Sequence, residues 1–371
     1  MAPPLRSRPL NKAELPRALT NTKNPIRTVL FSDSLAPKPS SLVPNIRSIS
    51  WSPTGSMIAT CTSSNIRVWN PDRPNVKLST EMKNGHSGSF GSGPGGAAST
   101  VEKVSFCPGL ENMLASTGND SGVRLWDVRM PGGAAGTVGK GTQAAEARLG
   151  DSGLSLCWHP DGRNMVVGTK EDFVKVVDVR RMTDFGPTGT VASWEMECAD
   201  RTPFKPKRRV HGMAFSNSGR ELFVTTAEGP VRILDFPSMD PLHTLTGHSD
   251  ATYCAAPSPL GTYIAVGGAD SMISLWNTTS WHCSHMLAGH ASAVRDVSFS
   301  FDGVFLTAGS MADARDGQKG LEIYHVDTGE VVHTVETSNA VTLSAWHPAR
   351  YWVAFAGDPG GLKVLGAGSS L

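Results

Sequence analysis

Seven stretches of the chain share one alternation: an apolar residue, any residue, an apolar residue and a bulky one. They are IRVW ending at Trp69, VRLW at Trp126, VKVV at Val177, VRIL at Leu234, ISLW at Trp276, LEIY at Tyr324 and LKVL at Leu365. Residues two apart lie on one face of an extended chain, so each quartet reads as a strand with one buried face. Upstream of each, another alternating run ends in a turn: SISWSPTG, VSFCPG, SLCWHPDG, GMAFSNSG, CAAPSPLG, VSFSFDG and LSAWHPAR. The turns open at Trp51, Phe106, Trp158, Phe215, Pro257, Phe299 and Trp346. From there to the quartet's end is 18–20 residues in six units and 25 in the sixth, which carries the insertion MADARDGQKG. A third run lies between the landmarks: MIATCT, MLASTG, MVVGTK, LFVTTA, YIAVGG, FLTAGS and WVAFAG. A fourth strand falls in the variable segment that follows, as in PLHTLTGH and HCSHMLAGH.

Four antiparallel strands recurring every 41–57 residues form a β-propeller blade. The predicted fold is all-β: a seven-bladed propeller over residues 27–366, with a flexible Pro-containing tail at 1–26 and a short tail at 367–371. The last unit stops after its third strand, while RTVLFSD at 27–33 is a spare strand before the first. That strand is expected to complete the seventh blade and remove an open edge. Residues 34–43 read as an extended loop, and the period is broken at Ser79–Ser99, Met130–Ala147, Arg181–Arg208 and Met311–Gly320.

The repeats resemble the WD-repeat family, most clearly in GNDSGVRLWDV (118–128) and in residues 247–277. The resemblance implies that a Gly-His pair ends the outer strand and that its His bonds an Asp in the turn before the Trp strand. The fifth unit offers His248, Asp270 and Trp276; the second offers His86, Asp120 and Trp126. Another Gly-His, Gly289-His290, opens the sixth, while the first, third, fourth and seventh units lack the pair. A His–Asp pair is also a catalytic combination, but a buried imidazole and carboxylate must find partners in any case. These triads therefore read as structural.

Composition narrows the function. With 34 basic and 33 acidic residues, the net charge of +1 is too balanced for a surface built to neutralise many phosphates. Gly (39) and Pro (25) favour turns over a helical bundle. Cys61, Cys107, Cys157, Cys198, Cys254 and Cys283 form no C-x-x-C pair and read as reduced thiols. No apolar run approaches the ~18 residues of a membrane span, and the polar N-terminus does not read as a secretory signal.

GSGPGG (91–96) matches a dinucleotide-binding pattern but lacks the preceding strand and following helix, and reads as a linker. His159 and His347 occupy the same WHP turn in two units, which turn chemistry explains. No catalytic, cofactor or metal constellation is predicted. The dense basic run KPKRR, with Lys205, Lys207, Arg208 and Arg209, reads as a nuclear localisation signal, a nucleic-acid contact or a solvated loop.

A propeller grips partners through its loops and rims and has no chemistry by default. The unit signatures are similar to those of the THO complex subunit 3 family, in VRLWDVR, LCWHPDGRNMVVGTKEDFVKVVD, GGADSMISLWN, VRDVSFSFDG and TLSAWHPARYWVAFAGD. The resemblance implies a non-catalytic nuclear scaffold in a complex coupling transcription to mRNA export. The expected partners are other THO/TREX-type subunits, with RNA contacted indirectly or weakly and neither a membrane nor a small-molecule substrate. Tyr253 and Arg295 are candidate partner contacts, or else blade packing and solvated surface. LWDVR (125–129) and VVDVRR (176–181) also resemble substrate receptors of cullin-type ubiquitin ligases, where the Arg of Asp-x-Arg contacts the adaptor.

Overall fold

The computed structural model describes residues 6–20, 29–31, 46–72, 80–83, 86, 100–129, 142–184, 192–195, 210–290, 292–310, 320–337, 339–357 and 361–366. Helix α1 (Glu14–Thr20) and strand β1 (Val29–Phe31) precede the first unit. Blade 1 is β2 (Ser48–Trp51), β3 (Ile58–Cys61), β4 (Asn65–Trp69) and β5 (Thr80–Lys83). Blade 2 is β6 (Val101–Phe106), β7 (Met113–Gly118), β8 (Gly122–Asp127) and β9 (Thr142–Arg148). Blade 3 is β10 (Gly153–Trp158), β11 (Asn164–Thr169), β12 (Phe173–Asp178) and, after helix α2 (Val179–Asp184), β13 (Ala192–Glu195). Blade 4 is β14 (Val210–Phe215), β15 (Glu221–Thr226), β16 (Val231–Asp235) and β17 (Pro241–Leu245). Blade 5 is β18 (Thr252–Pro257), β19 (Tyr263–Gly268), β20 (Ile273–Asn277) and β21 (Cys283–Leu287). Blade 6 is β22 (Val294–Phe299), β23 (Phe305–Ser310), β24 (Leu321–His325) and β25 (Val331–Val335). Blade 7 is β26 (Leu343–Trp346), β27 (Trp352–Ala356), β28 (Leu362–Gly366) and β1.

The innermost strands pack in a ring, β2 on β6, then β10, β14, β18, β22 and β26, and β26 returns to β2. The fold is a closed seven-bladed propeller. Its closure is the expected one: β1 is the outer strand of blade 7, with Val29 opposite Val364, Leu30 opposite Lys363 and Phe31 opposite Leu362.

The core is divided among the blade interfaces. Each hydrophobic cluster joins two neighbouring blades; Ala59, Ile66, Val104, Phe106 and Trp126, for example, fill the space between blades 1 and 2. The second strand of each blade explains the period. In β7, Leu114 faces blade 1 and its neighbour Ala115 faces blade 3. A strand buried on both faces must be apolar continuously rather than alternately, hence MLASTG and MVVGTK.

The turns at the ends of the innermost strands lock successive blades. Trp51 Nε1 of blade 1 donates to Ala345 O of blade 7 at 3.0 Å, and Trp158 Nε1 of blade 3 to Ser105 O of blade 2 at 3.0 Å. The two WHP histidines each pack against the turn glycine of the next blade. A Cβ on Gly219 would lie 2.4 Å from His159 Nε2 and one on Gly55 2.1 Å from His347 Nε2, and both glycines have positive φ, +75° and +80°. Only glycine meets both demands. Burial, reinforced by the nearby Arg350 charge, lowers the His347 pKa to about 4, so its Nδ1 stays free to accept from Ala349 N and Arg350 N at 3.0 Å.

Two expectations need correction. The tail at 1–26 is not wholly extended: α1 packs on blades 6 and 7, with Leu15 and Leu19 buried beside Phe301, Phe305 and Tyr351. Its start is a capping box: Asn11 Oδ1 accepts from Ala13 N and Glu14 N, and Glu14 Oε2 accepts from Asn11 N at 3.0 Å. Leu10 N donates to the Tyr351 hydroxyl at 2.8 Å. The other is α2, which runs into the stretch from Arg181 where the period breaks; Val179 and Met182, three apart, both join the core between blades 2 and 3. Residues 34–43, the Gly-rich run at 91–96 and most of the sixth-unit insertion lie outside the described residues.

Leu15→Ala should destabilise the protein by about 2–5 kcal/mol, as buried Leu truncations do, while Arg17→Ala changes stability little. Urea denaturation of the two variants checks this.

Candidate functional site

Antiparallel blades place the turns between first and second strands on one face of the ring, and those between second and third strands on the other. The His–Asp groups lie on the second face. In blade 5, His248 Nδ1 is 3.0 Å from Asp270 Oδ1, its Nε2 is 2.7 Å from Ser274 Oγ, and Trp276 Nε1 donates to that oxygen at 2.8 Å. The directions are self-consistent: the indole donates to the serine oxygen, the serine proton goes to Nε2, and Nδ1–H goes to the carboxylate. Asp270 also accepts from Ser249 N and Met272 N. Burial pulls its pKa up, but the His248 bond and these amides hold it below the usual carboxylate range.

Blade 2 builds the same relay from a different strand. His86 Nδ1 lies 2.7 Å from Asp120 Oδ1 and its Nε2 lies 2.8 Å from Ser116 Oγ, which accepts from Trp126 Nε1 at 2.8 Å. Ser274 sits two residues before its Trp, whereas Ser116 is on β7, directly opposite Arg124 in the ladder. Arg124 fills the serine's position and pairs with Asp120 at 2.8 Å and Glu146 at 3.5 Å. Burial raises the Asp120 pKa, while the His86 bond and the Arg124 charge outweigh it and lower the value. In blade 1, Trp69 Nε1 donates to Thr60 Oγ1 at 3.4 Å. In blade 6, Tyr324 replaces the Trp; its hydroxyl donates to Glu322 and lies 3.2 Å from His290 Nε2.

Ser274, Ser116 and Arg124 were not anticipated from the sequence. Ser274 was legible as the period-two neighbour of Trp276; Ser116 required the register between β7 and β8. The His–Asp pairs are enclosed, His86 and His248 showing 0% and 2% side-chain exposure, so substrate has no access to their nitrogens. Among the described residues no three His, Cys, Asp or Glu are grouped to hold a metal ion. Burial pushes the thiols of Cys61 and Cys157 up to about 12, which leaves them unreactive near neutral pH. Cys198 lies outside the described residues.

The WD domain, G-beta repeat family matches residues 40–70, 239–277 and 281–318. Those three stretches of the chain are WD repeats. It is 29% identical over 322 residues to THO complex subunit 3 of Arabidopsis thaliana, covering 84% of this chain and 86% of that protein. It is 28% identical to WD repeat-containing protein AAC3 of Dictyostelium discoideum, covering 83% of this chain and 61% of the other. The β-propeller domain of Cps50 (Swd1) from Myceliophteria thermophila has the same fold, with a TM-score of 0.69 at 15% identity over 93% of this chain and all of that one.

Tyr253 and Arg295, from β18 and β22, come together: the guanidinium carbon lies 4.0 Å from the ring centroid. On the opposite face, Arg129 and Arg180 hold one pose, Nε and Nη2 of each gripping the Asp two residues earlier. Lys205, Lys207, Arg208 and Arg209 lie outside the described residues.

Asp270→Ala should cost about 1–3 kcal/mol because it strands a buried imidazole. Asp120→Ala should cost more, since Arg124 also loses the nearer of its two carboxylates. Both folded carboxyls titrate below the ordinary 3.8, so their contribution is present above that pH and is lost as pH falls through the folded values. Stability measured against pH should therefore fall less steeply below 3.8 in the Asp120→Asn/Asp270→Asn double variant than in wild type.

Proposed function

We propose that this chain is a non-catalytic interaction scaffold, the WD-repeat subunit of a nuclear THO/TREX-type complex that couples transcription to mRNA export. The observation that carries the reading is the similarity to THO complex subunit 3, which runs through most of both chains. The enclosed His–Asp relays are consistent with it, because they use their chemistry within blades.

A second reading rests on a specific feature. Asp127–Arg129 and Asp178–Arg180 form matching bidentate pairs on adjacent blades, with the Arg side chains 69% and 63% exposed. Two presented guanidinium groups of this kind suit an adaptor of a cullin-type ubiquitin ligase.

Depleting the protein from cells should retain polyadenylated RNA in the nucleus, and tagged protein should recover the large THO subunits with nuclear mRNA. Intact export, with recovery of a ligase adaptor that Arg129→Ala and Arg180→Ala abolish, establishes the second reading instead. Purified protein should bind RNA weakly and without sequence preference, with affinity falling steeply as salt rises. Tight, salt-resistant binding contradicts the scaffold.

A further inference from the structure

The channel mouth on the His–Asp face carries groups that blade cohesion does not explain. The innermost strands of blades 2 to 6 all slip register at one equivalent position, leaving Glu102, Leu154, His211, Tyr253 and Arg295 as bulged residues. A bulge re-aims its side chain, and bulges on five successive strands gather these side chains at the entrance. One side is closed by an ion pair between Arg47 and Glu102 at 2.5 Å. On the other, Arg295 is exposed and lies over Tyr253, whose ring meets that of His211 at 4.9 Å.

Just inside stand Lys103 and Asp296, the next residues on β6 and β22. Lys103 acts electrostatically on Cys61, Cys157, Cys254 and Asp296, in blades 1, 3, 5 and 6, as an ammonium directed into the channel does. Among the described residues that ammonium has no hydrogen bond or ion pair. Asp296 does not supply one; its Oδ2 accepts from Ser344 N at 3.0 Å.

We propose that this mouth is a carboxylate receptor, in which one acidic side chain on an extended segment of a partner protein engages Arg295 and Lys103. Tyr253 holds the guanidinium plane in place, so little freedom is lost when its fork meets a carboxylate. Lys103 supplies a second cation, whose field also reaches Asp296. A nucleic-acid backbone fits poorly: it needs a track of cations, whereas Asp250 and Glu171 are exposed on the same face. These outer acids also select a segment whose single acidic residue is flanked by neutral or basic ones.

The inference rests on the scaffold reading only in taking the ligand to be a protein. Its test needs no cell, so the two fail separately. The probe is an array of ten-residue peptides, each with one central glutamate among neutral and basic residues, printed beside twins carrying glutamine. Wild-type protein should bind a subset of glutamate peptides about tenfold or more above their twins. Arg295→Gln and Lys103→Met should abolish that difference, while Arg129→Gln on the opposite face preserves it. If Lys103→Met fails to fold, the exposed Arg295 decides alone. Equal binding to both twins, no binding, or a difference that survives Arg295→Gln overturns the proposal. So does a labelled 15-residue poly(U) whose binding Arg295→Gln removes, which would assign the mouth to nucleic acid.

Discussion

Every blade depends on its neighbours, because its middle strands are buried on both faces. Residues alternate along β7 between the clusters shared with blades 1 and 3, so no blade has a core of its own. The ring is therefore stable only when closed. Closure falls on the last interface, where β1 completes the outer edge of blade 7 and β26 packs on β2. Helix α1 adds a second fastening by burying Leu15 and Leu19 against blades 6 and 7.

Within that ring the polar relays solve a local problem. A Trp at the end of a third strand brings an indole N–H into the core, and the donor needs an acceptor. Blades 2 and 5 supply Ser, His and Asp in series; blade 1 supplies Thr60. Blade 2 shows that the oxygen's position in space matters more than its position in sequence. Moving the hydroxyl across the ladder to Ser116 frees the strand site for Arg124, and its charge then secures Asp120.

The two faces differ in chemical character. One carries the His–Asp turns and a channel mouth with Arg295, Tyr253 and Lys103; the other carries α1 and the forks of Arg129 and Arg180. A scaffold with two unlike faces can hold two unlike partners at once.

The repeat, the blade count and the closing strand were legible in the sequence, because the alternation of apolar residues and the spacing of turns follow directly from strand geometry. His248 with Asp270 and His86 with Asp120 were legible through the family pattern. The N-terminal helix was missed although NKAE carries its cap, because seven residues are too few for a helical period to stand out. What only the tertiary structure decided depends on register between strands and distance between blades. Ser116 enters the relay because it lies opposite Arg124. Tyr253 and Arg295, 42 positions apart in the numbering, meet because two adjacent innermost strands bulge at the same place. Spacing along one chain gives each strand its inward face, but which side chains meet across a gap is set by the packing of neighbours.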